Sequence, residues 1–300
     1  MIATHFDSAL AGTERRQRLY AGDLFVYSAT ERTRAFCAFA AEMIHAAFDG
    51  LDPQTAQHEL PVERMVEILK ELKPRFIHHE ESKRHLTAIL EEFGCDPDDT
   101  HYDVPRLRTS TSDGYLTSGI AYAWHPHRDT WYSAPLTQIN WWLPIFPITE
   151  GNGMCFYPEY FDVPVPNNSA GYDYKTWNEK YRFAAASQVD NDSRPLPGPE
   201  AEIDSRKANP IVLPPGGVML FSGAHLHASV PNFTGRTRFS IDFRTVSLAD
   251  TRARAGAPDL DNHCTWSAIR DFKRMRDRAE FPDTVASELE QNPWSRRTVA

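Results

Sequence analysis

Two short segments a hundred residues apart constrain this chain most. Trp124-His125-Pro126-His127-Arg128-Asp129-Thr130-Trp131 sets a histidine and a carboxylate two residues apart. Leu226-His227-Ala228-Ser229-Val230-Pro231-Asn232, followed by Arg236-Thr237-Arg238, supplies a distant histidine and then arginines. On an extended strand, residues i and i+2 point to one face, so His127 and Asp129 can close on one metal ion. A fold that lets His227 join them must lay two remote strands side by side. Two histidines and one carboxylate form the facial triad of non-haem Fe(II) centres, which leaves three coordination positions open.

The surrounding pattern suits such a fold. The first hundred residues read mainly as helices. Ser28-Ala29-Thr30-Glu31 resembles a capping box, and Phe36, Phe39, Ala40, Met43, Ile44 and Ala47 then recur at helical spacing up to Gly50. A second stripe, Val62, Met65, Val66, Leu69 and Leu72, is expected to end at Pro74. A third, around Leu86, Ile89, Leu90 and Phe93, stops at Gly94. From about Tyr102 the texture changes to short β-type runs: Gln138 to Ile145, Met154 to Tyr157 and Val218 to Phe221. Between Arg236 and Val246, Arg236, Arg238, Ser240, Asp242 and Arg244 alternate with Phe239, Ile241 and Phe243.

These runs predict a mainly β chain with flanking α: a double-stranded β-helix, or cupin-like jelly roll, with N-terminal helices. Residues 1–300 then form one domain. Its parts are a helical buttress over 1–100, a jelly-roll core over 101–250 and a C-terminal helical tail over 251–300. Ser267 to Arg278 is expected to be a charged helix. A stretch over 158–209, rich in Pro, Asn, Asp, Tyr and Ser, interrupts the core and reads as an inserted lid.

Bulk properties narrow the function. The formal charge of −9 argues against a nucleic-acid or membrane partner. Cys37, Cys95, Cys155 and Cys264 are isolated, without zinc-type spacing, which suits reduced thiols and a cytoplasmic location. The N-terminal stretch lacks the apolar segment of a signal peptide, and no apolar run reaches membrane-spanning length. Neither a P-loop nor a G-x-G-x-x-G after a strand is present, so nucleotide chemistry is not expected.

Taken together, His127-Arg128-Asp129, the Gly216 to Phe221 strand, Leu226 to Asn232 and Arg238 resemble the phytanoyl-CoA dioxygenase superfamily of Fe(II)/2-oxoglutarate oxygenases. The likeness spans about Ala121 to Val246 and leans toward members that tailor natural products. It implies that His127, Asp129 and His227 bind iron. It also implies that Arg238 pairs with the distal carboxylate of 2-oxoglutarate, with Ser229 adding a hydrogen bond. A guanidinium offers a planar fork matched to a carboxylate and stays charged at any working pH. The resulting expectation is a dioxygenase that consumes 2-oxoglutarate and dioxygen and hydroxylates a small molecule, with no obligate protein partner.

Several residues compete for these roles. His125 shares a strand face with His127, and the His-X-Asp spacing favours His127. Counting from Pro231-Asn232 and Arg238 selects His227 over His225, while a two-residue misregister would substitute His225 and Arg236 together. His78-His79-Glu80 reads as solvated surface. Gln138, Asn140 and Trp142 share one strand face, and an inward orientation would give Gln138 and Asn140 to the co-substrate or the substrate. Trp131 and Tyr132 are expected at the mouth of the site as substrate contacts. Arg106 and Arg108, on the preceding polar strand, are weaker candidates, of which Arg108 is kept as a substrate contact. The basic run from Arg270 to Arg278 reads as a solvated face rather than a phosphate site. One rival function is a halogenase, which Asp129 argues against because a halide needs that position. The other is a metal- or ligand-binding cupin-like barrel without oxidative turnover, which would need no Arg238.

Overall fold

The computed structural model describes residues 2–189 and 191–291. Strands β1 (Thr4–Phe6), β2 (Leu24–Tyr27), β3 (Thr100–Tyr102), β4 (Arg106–Ser110) and β5 (Ile139–Pro144) precede β6 (Met154–Phe156) and β7 (Asn209–Ile211). They are followed by β8 (Val218–Ser222), β9 (His227–Ser229), β10 (Arg238–Ser247) and β11 (Lys273–Arg274). One sheet runs β1-β2-β8-β5-β10-β3-β11, with β4 also paired to β10; the other runs β7-β6-β9. This sheet-dominated, two-sheet arrangement is consistent with the expected jelly roll.

The alternation in β10 decides what each face of the large sheet does. Phe239, Ile241 and Phe243 are fully buried and pack with Trp141, Leu143 and Leu220 on its outer side. Helices α1 (Gly12–Tyr20), α2 (Glu31–Ala47), α3 (Val62–His78) and α4 (Glu80–Glu92) bring Leu19, Phe36, Phe76 and Leu86 to the same cluster. On the inner side, Trp142, Met219 and Phe221 meet Met154 and Phe156 of the small sheet. The remaining inner positions are polar. Asn140 lies opposite Arg244, and Arg238, Ser240 and Asp242 lie opposite Ser110, Arg108 and Arg106. A polar strip inside an otherwise apolar sandwich marks a place for chemistry, because buried polar groups need partners.

Several local expectations are corrected. The cap of α2 is Thr30, whose side chain accepts from the Thr33 amide while Thr33 answers the Thr30 amide; Ser28 instead binds Asp7. Helix α3 continues past Pro74 to His78. Its apolar face, including Phe76, is buried, and that packing outweighs one missing hydrogen bond. The first hundred residues also carry β1 and β2, which extend the large sheet next to β8.

The Ser267 to Arg278 run is not a helix. It is a short 3-10 turn, Ala268–Asp271, and then β11, whose pairing with β3 overrides local helical preference. Its charges are matched: Arg270 meets Asp283 at 2.8 Å and Glu290 at 2.7 Å, and Arg276 pairs with Asp98. Helices do occupy Leu248–Ala253 and Asp283–Gln291, while 292–300, part of the expected helical tail, lie outside the described residues. Residues 158–209, expected as an insertion, carry short helical turns and an Asn167–Pro199 bridge among the described residues, and meet the small sheet at Asn209.

Candidate metal centre

Backbone pairing brings the two motif segments together. The His127 amide donates to the His227 carbonyl at 3.0 Å, and the His227 amide returns the bond at 3.0 Å. This isolated bridge sets the two imidazoles side by side, with ring centroids 4.4 Å apart. The Asp129 amide donates to the Gly223 carbonyl at 2.9 Å, fixing the carboxylate beside them. His127, Asp129 and His227 each offer one ligand atom, and all three atoms lie within 4.8 Å of one another. His127 Nε2 stands 3.6 Å from Asp129 Oδ1.

The tautomers suit metal binding. His127 Nδ1 lies 2.8 Å from the His125 carbonyl, and His227 Nδ1 lies 3.0 Å from the His225 carbonyl. A carbonyl only accepts, so each Nδ1 carries the proton and each Nε2 keeps a lone pair. Burial, with His127 beside it, pushes the His227 imidazole down to about 4, so it stays neutral and able to ligate. Burial alone would raise the Asp129 carboxyl. The contact with His127 and the charge of Arg244 outweigh it and hold the group well below the usual range. Two imidazoles with Nε2 turned to a common point and an ionised carboxylate fit a divalent metal.

The competing histidines are committed elsewhere. His125 Nε2 lies 3.1 Å from the Pro197 carbonyl of the insertion. His225 is fully buried, with Nε2 2.7 Å from the Gly22 carbonyl. Both serve the site through their main-chain oxygens. His79 caps α4 by accepting from the Glu81 amide. Arg236 is half-exposed and binds Gln54 at 2.8 Å near Asp52.

Arg238 is buried on the inner face. It donates to the Gly153 carbonyl at 2.9 Å and to Ser229 Oγ at 3.2 Å, and lies over Trp142. Its Nε has no partner, and among the described residues no carboxylate forms an ion pair with it. Burial pushes the guanidinium down to about 10, with the charge of Arg108 adding to the effect. Two further buried hydroxyls, Ser110 Oγ and Ser240 Oγ, also lack partners. Ser110 faces Arg238 across the β4–β10 ladder, and Ser240 follows it on the same face. An unpaired buried cation with idle donors around it is costly unless an anion arrives, so the residues fit a carboxylate ligand.

Gln138 and Asn140 point inward, and both amides lie on the iron-binding candidate itself. Gln138 Nε2 donates to Asp129 Oδ2 at 2.8 Å, and Asn140 Nδ2 donates to the same oxygen at 2.6 Å. Tyr132 stands edge-on to His127 at 5.5 Å, and its hydroxyl donates to Pro197 of the insertion at 2.8 Å. Arg108 is half-buried, bonded to Asp242 at 2.9 Å and 3.2 Å, and lies over Trp124, which in turn packs on His127.

Trp131 is the clear correction. It is fully buried, and its indole N–H donates to Asp261 at 2.8 Å. Asp261 also accepts from Arg128 at 3.1 Å and from the Val165 amide at 2.9 Å. Sequence reasoning missed Asp261, for which no local signal exists. It also missed Ser240 and Arg244, whose signal was present: they share the Arg238 face of the alternating strand.

Comparison with known proteins follows the same line. Residues 25–240 match the family described as phytanoyl-CoA dioxygenase. A search of curated proteins finds no matching sequence. Among solved structures, EvdO2 from Micromonospora carbonacea var. aurantiaca complexed with 2-oxoglutarate is 15% identical, with a TM-score of 0.45, over 79% of this chain and 93% of that one. The epimerase SnoN in complex with Fe3+, alpha ketoglutarate and nogalamycin is 13% identical, with a TM-score of 0.41, over 79% and 85%. AviO1 from Streptomyces viridochromogenes Tue57 is 15% identical, with a TM-score of 0.37, over 84% and 100%.

Proposed function

Because the chain belongs to the phytanoyl-CoA dioxygenase family of Fe(II)/2-oxoglutarate-dependent oxygenases, we propose that it hydroxylates a small molecule through the His127, Asp129 and His227 centre. The observation that carries this reading is the pairing of two features in one sandwich. Three ligand atoms converge with both Nε2 atoms free, and Arg238 lies buried on the inner face with no carboxylate partner. When bound, the ferrous ion and 2-oxoglutarate supply the oxidation: dioxygen is consumed, 2-oxoglutarate gives succinate and carbon dioxide, and one oxygen atom enters the substrate.

The chain's own residues bind, orient and shield. Arg238 and Ser229 receive the distal carboxylate of 2-oxoglutarate, and Ser110 and Ser240 complete the cradle with their unpartnered hydroxyls. His125 and His225 hold the imidazole tautomers through their carbonyls. Tyr132, tethered to Pro197, and the insertion beside it keep bulk water from the metal side and offer the substrate a wall. Arg108 reaches that side through Trp124, which packs against both His127 and Tyr132. Asp129 favours hydroxylation over halogenation, since a halide would need its position. A natural-product substrate rests on the resemblance of the motifs alone. No helix among the described residues is long and apolar enough to cross a membrane.

The deciding experiment is anaerobic. Fe(II) and 2-oxoglutarate are added to metal-free protein, and the visible charge-transfer band of their chelate is recorded. A band that weakens in His127→Ala, Asp129→Ala and His227→Ala, together with succinate release in air, is expected. Tight metal binding without a band would return the chain to the non-oxidative barrel.

A further inference from the structure

We infer that Gln138 and Asn140 are positioning residues that restrict Asp129 to one metal-binding oxygen and so keep a coordination position open. The inference rests on the metal centre proposed above. An aspartate with two free oxygens can occupy two positions on one ion. Here Oδ2 is taken: it accepts from Gln138 Nε2 at 2.8 Å and from Asn140 Nδ2 at 2.6 Å. Oδ1 is the oxygen that faces His127 Nε2. The clamp is itself braced, because Gln138 Nε2 also donates to Asn140 Oδ1 at 2.9 Å. Both amides are buried, so water does not compete for them.

The backbone protects the same arrangement. A Cβ on Gly223 would stand 3.2 Å from Gln138 Nε2, tighter than an ordinary contact, and 3.4 Å from Asp129 Cβ. Gly223 donates its amide to the Gln138 carbonyl and accepts the Asp129 amide, tying ligand and clamp to one turn. Arg244, opposite Asn140 in the ladder, adds positive charge on the same side. The clamp therefore assigns to Gln138 and Asn140 a task distinct from holding the co-substrate. With two imidazoles and one oxygen as ligands, an octahedral ion keeps three positions. A second Asp129 oxygen would take one of them and leave room for the two-point chelate alone.

The test uses nitric oxide as a stable stand-in for dioxygen. Fe(II), 2-oxoglutarate and then nitric oxide are added anaerobically to the native protein and to the near-isosteric variants Gln138→Met and Asn140→Leu. The chelate band and the electron paramagnetic resonance of the nitrosyl adduct are recorded. Asn140→Ser replaces Asn140→Leu if the latter does not fold by circular dichroism. The expected result is a retained chelate band with nitric oxide affinity reduced about tenfold or more, the usual size of an outer-partner effect. Variants that bind nitric oxide like the native protein would overturn the clamp. So would folded variants that lose the band and the metal together, since the amides would then only keep Asp129 in place. Absence of the band in the native protein would instead sink the metal and co-substrate reading, a separate outcome.

Discussion

At the scale of single residues, buried cations without a directly paired carboxylate are the recurring theme. Arg238 is held by carbonyls and a hydroxyl and has no acidic partner among the described residues. Removing one member of a buried, hydrogen-bonded charge pair costs about 2–5 kcal/mol, so Arg238→Ala is expected to weaken 2-oxoglutarate binding by roughly tens- to thousands-fold. Arg238→Lys is expected to recover only part of the loss, because an ammonium lacks the planar fork. The Kd for 2-oxoglutarate from the chelate band checks both. Lys73 shows the same theme outside the triad. Its ammonium reaches the Ile120 carbonyl from α3, and burial, with Arg108 adding to it and Asp242 opposing, pushes it down to about 7 from 10.5. Across that window the unfolded chain carries a proton that the folded chain lacks. Stability is therefore expected to rise with pH from about 7 to 10.5 and to lose that slope in Lys73→Met. Urea melts across the pH range read the difference.

At the scale of elements, the segment after His127 and the insertion are one unit joined at Asp261. Its carboxylate accepts from Arg128, from the Trp131 indole and from the Val165 amide, and all three partners are buried. Arg128 also donates to the carbonyls of Tyr160 at 2.6 Å and Val163 at 2.9 Å, so the ion pair pins the start of the insertion beside the metal ligands. Asp261→Asn would remove the carboxylate that Arg128 pairs with directly, at a cost of roughly 3–5 kcal/mol. Limited proteolysis is expected to cut first within residues 158–208 in that variant, and equally slow cutting in both proteins would refute the tie. The element boundaries follow from the same competition. Helix α3 passes Pro74 because its apolar face is covered, whereas Ser267 to Arg278 yields to strand pairing with β3 despite its helical composition.

At the scale of the whole molecule, the metal centre joins segments from both sheets, so metal binding and folding are linked. His227 comes from the small sheet, His127 bridges to it, and Asp129 is held by Gln138, just before β5, and Asn140 of the large sheet. An ion that binds only the folded chain stabilises it by about 2.7 kcal/mol at a hundred times its Kd. Addition of Fe(II) under anaerobic conditions, or of Co(II) as a stable substitute, is expected to raise Tm. A chelator should reverse the rise, and Asp129→Ala should abolish it. An equal rise in Asp129→Ala, read by differential scanning calorimetry, would place the ion elsewhere.

The sequence by itself determined the parts of this protein that are written in short-range pattern. The His-X-Asp spacing of His127 and Asp129, the motif whose resemblance selects His227 and Arg238, and the alternation of β10 are all local; strand geometry aims the β10 side chains, whereas Asp129 opens a 3-10 turn just after the His127 bridge. The helical stripes of α2 to α4 were legible for the same reason. Contacts between remote segments were not. Nothing near Asp261 in the chain indicates Trp131 or Arg128, and nothing near Gln138 and Asn140 says that their amides meet Asp129. Tertiary structure alone decided those partners, because a buried polar group takes whichever donor or acceptor the packing brings within reach.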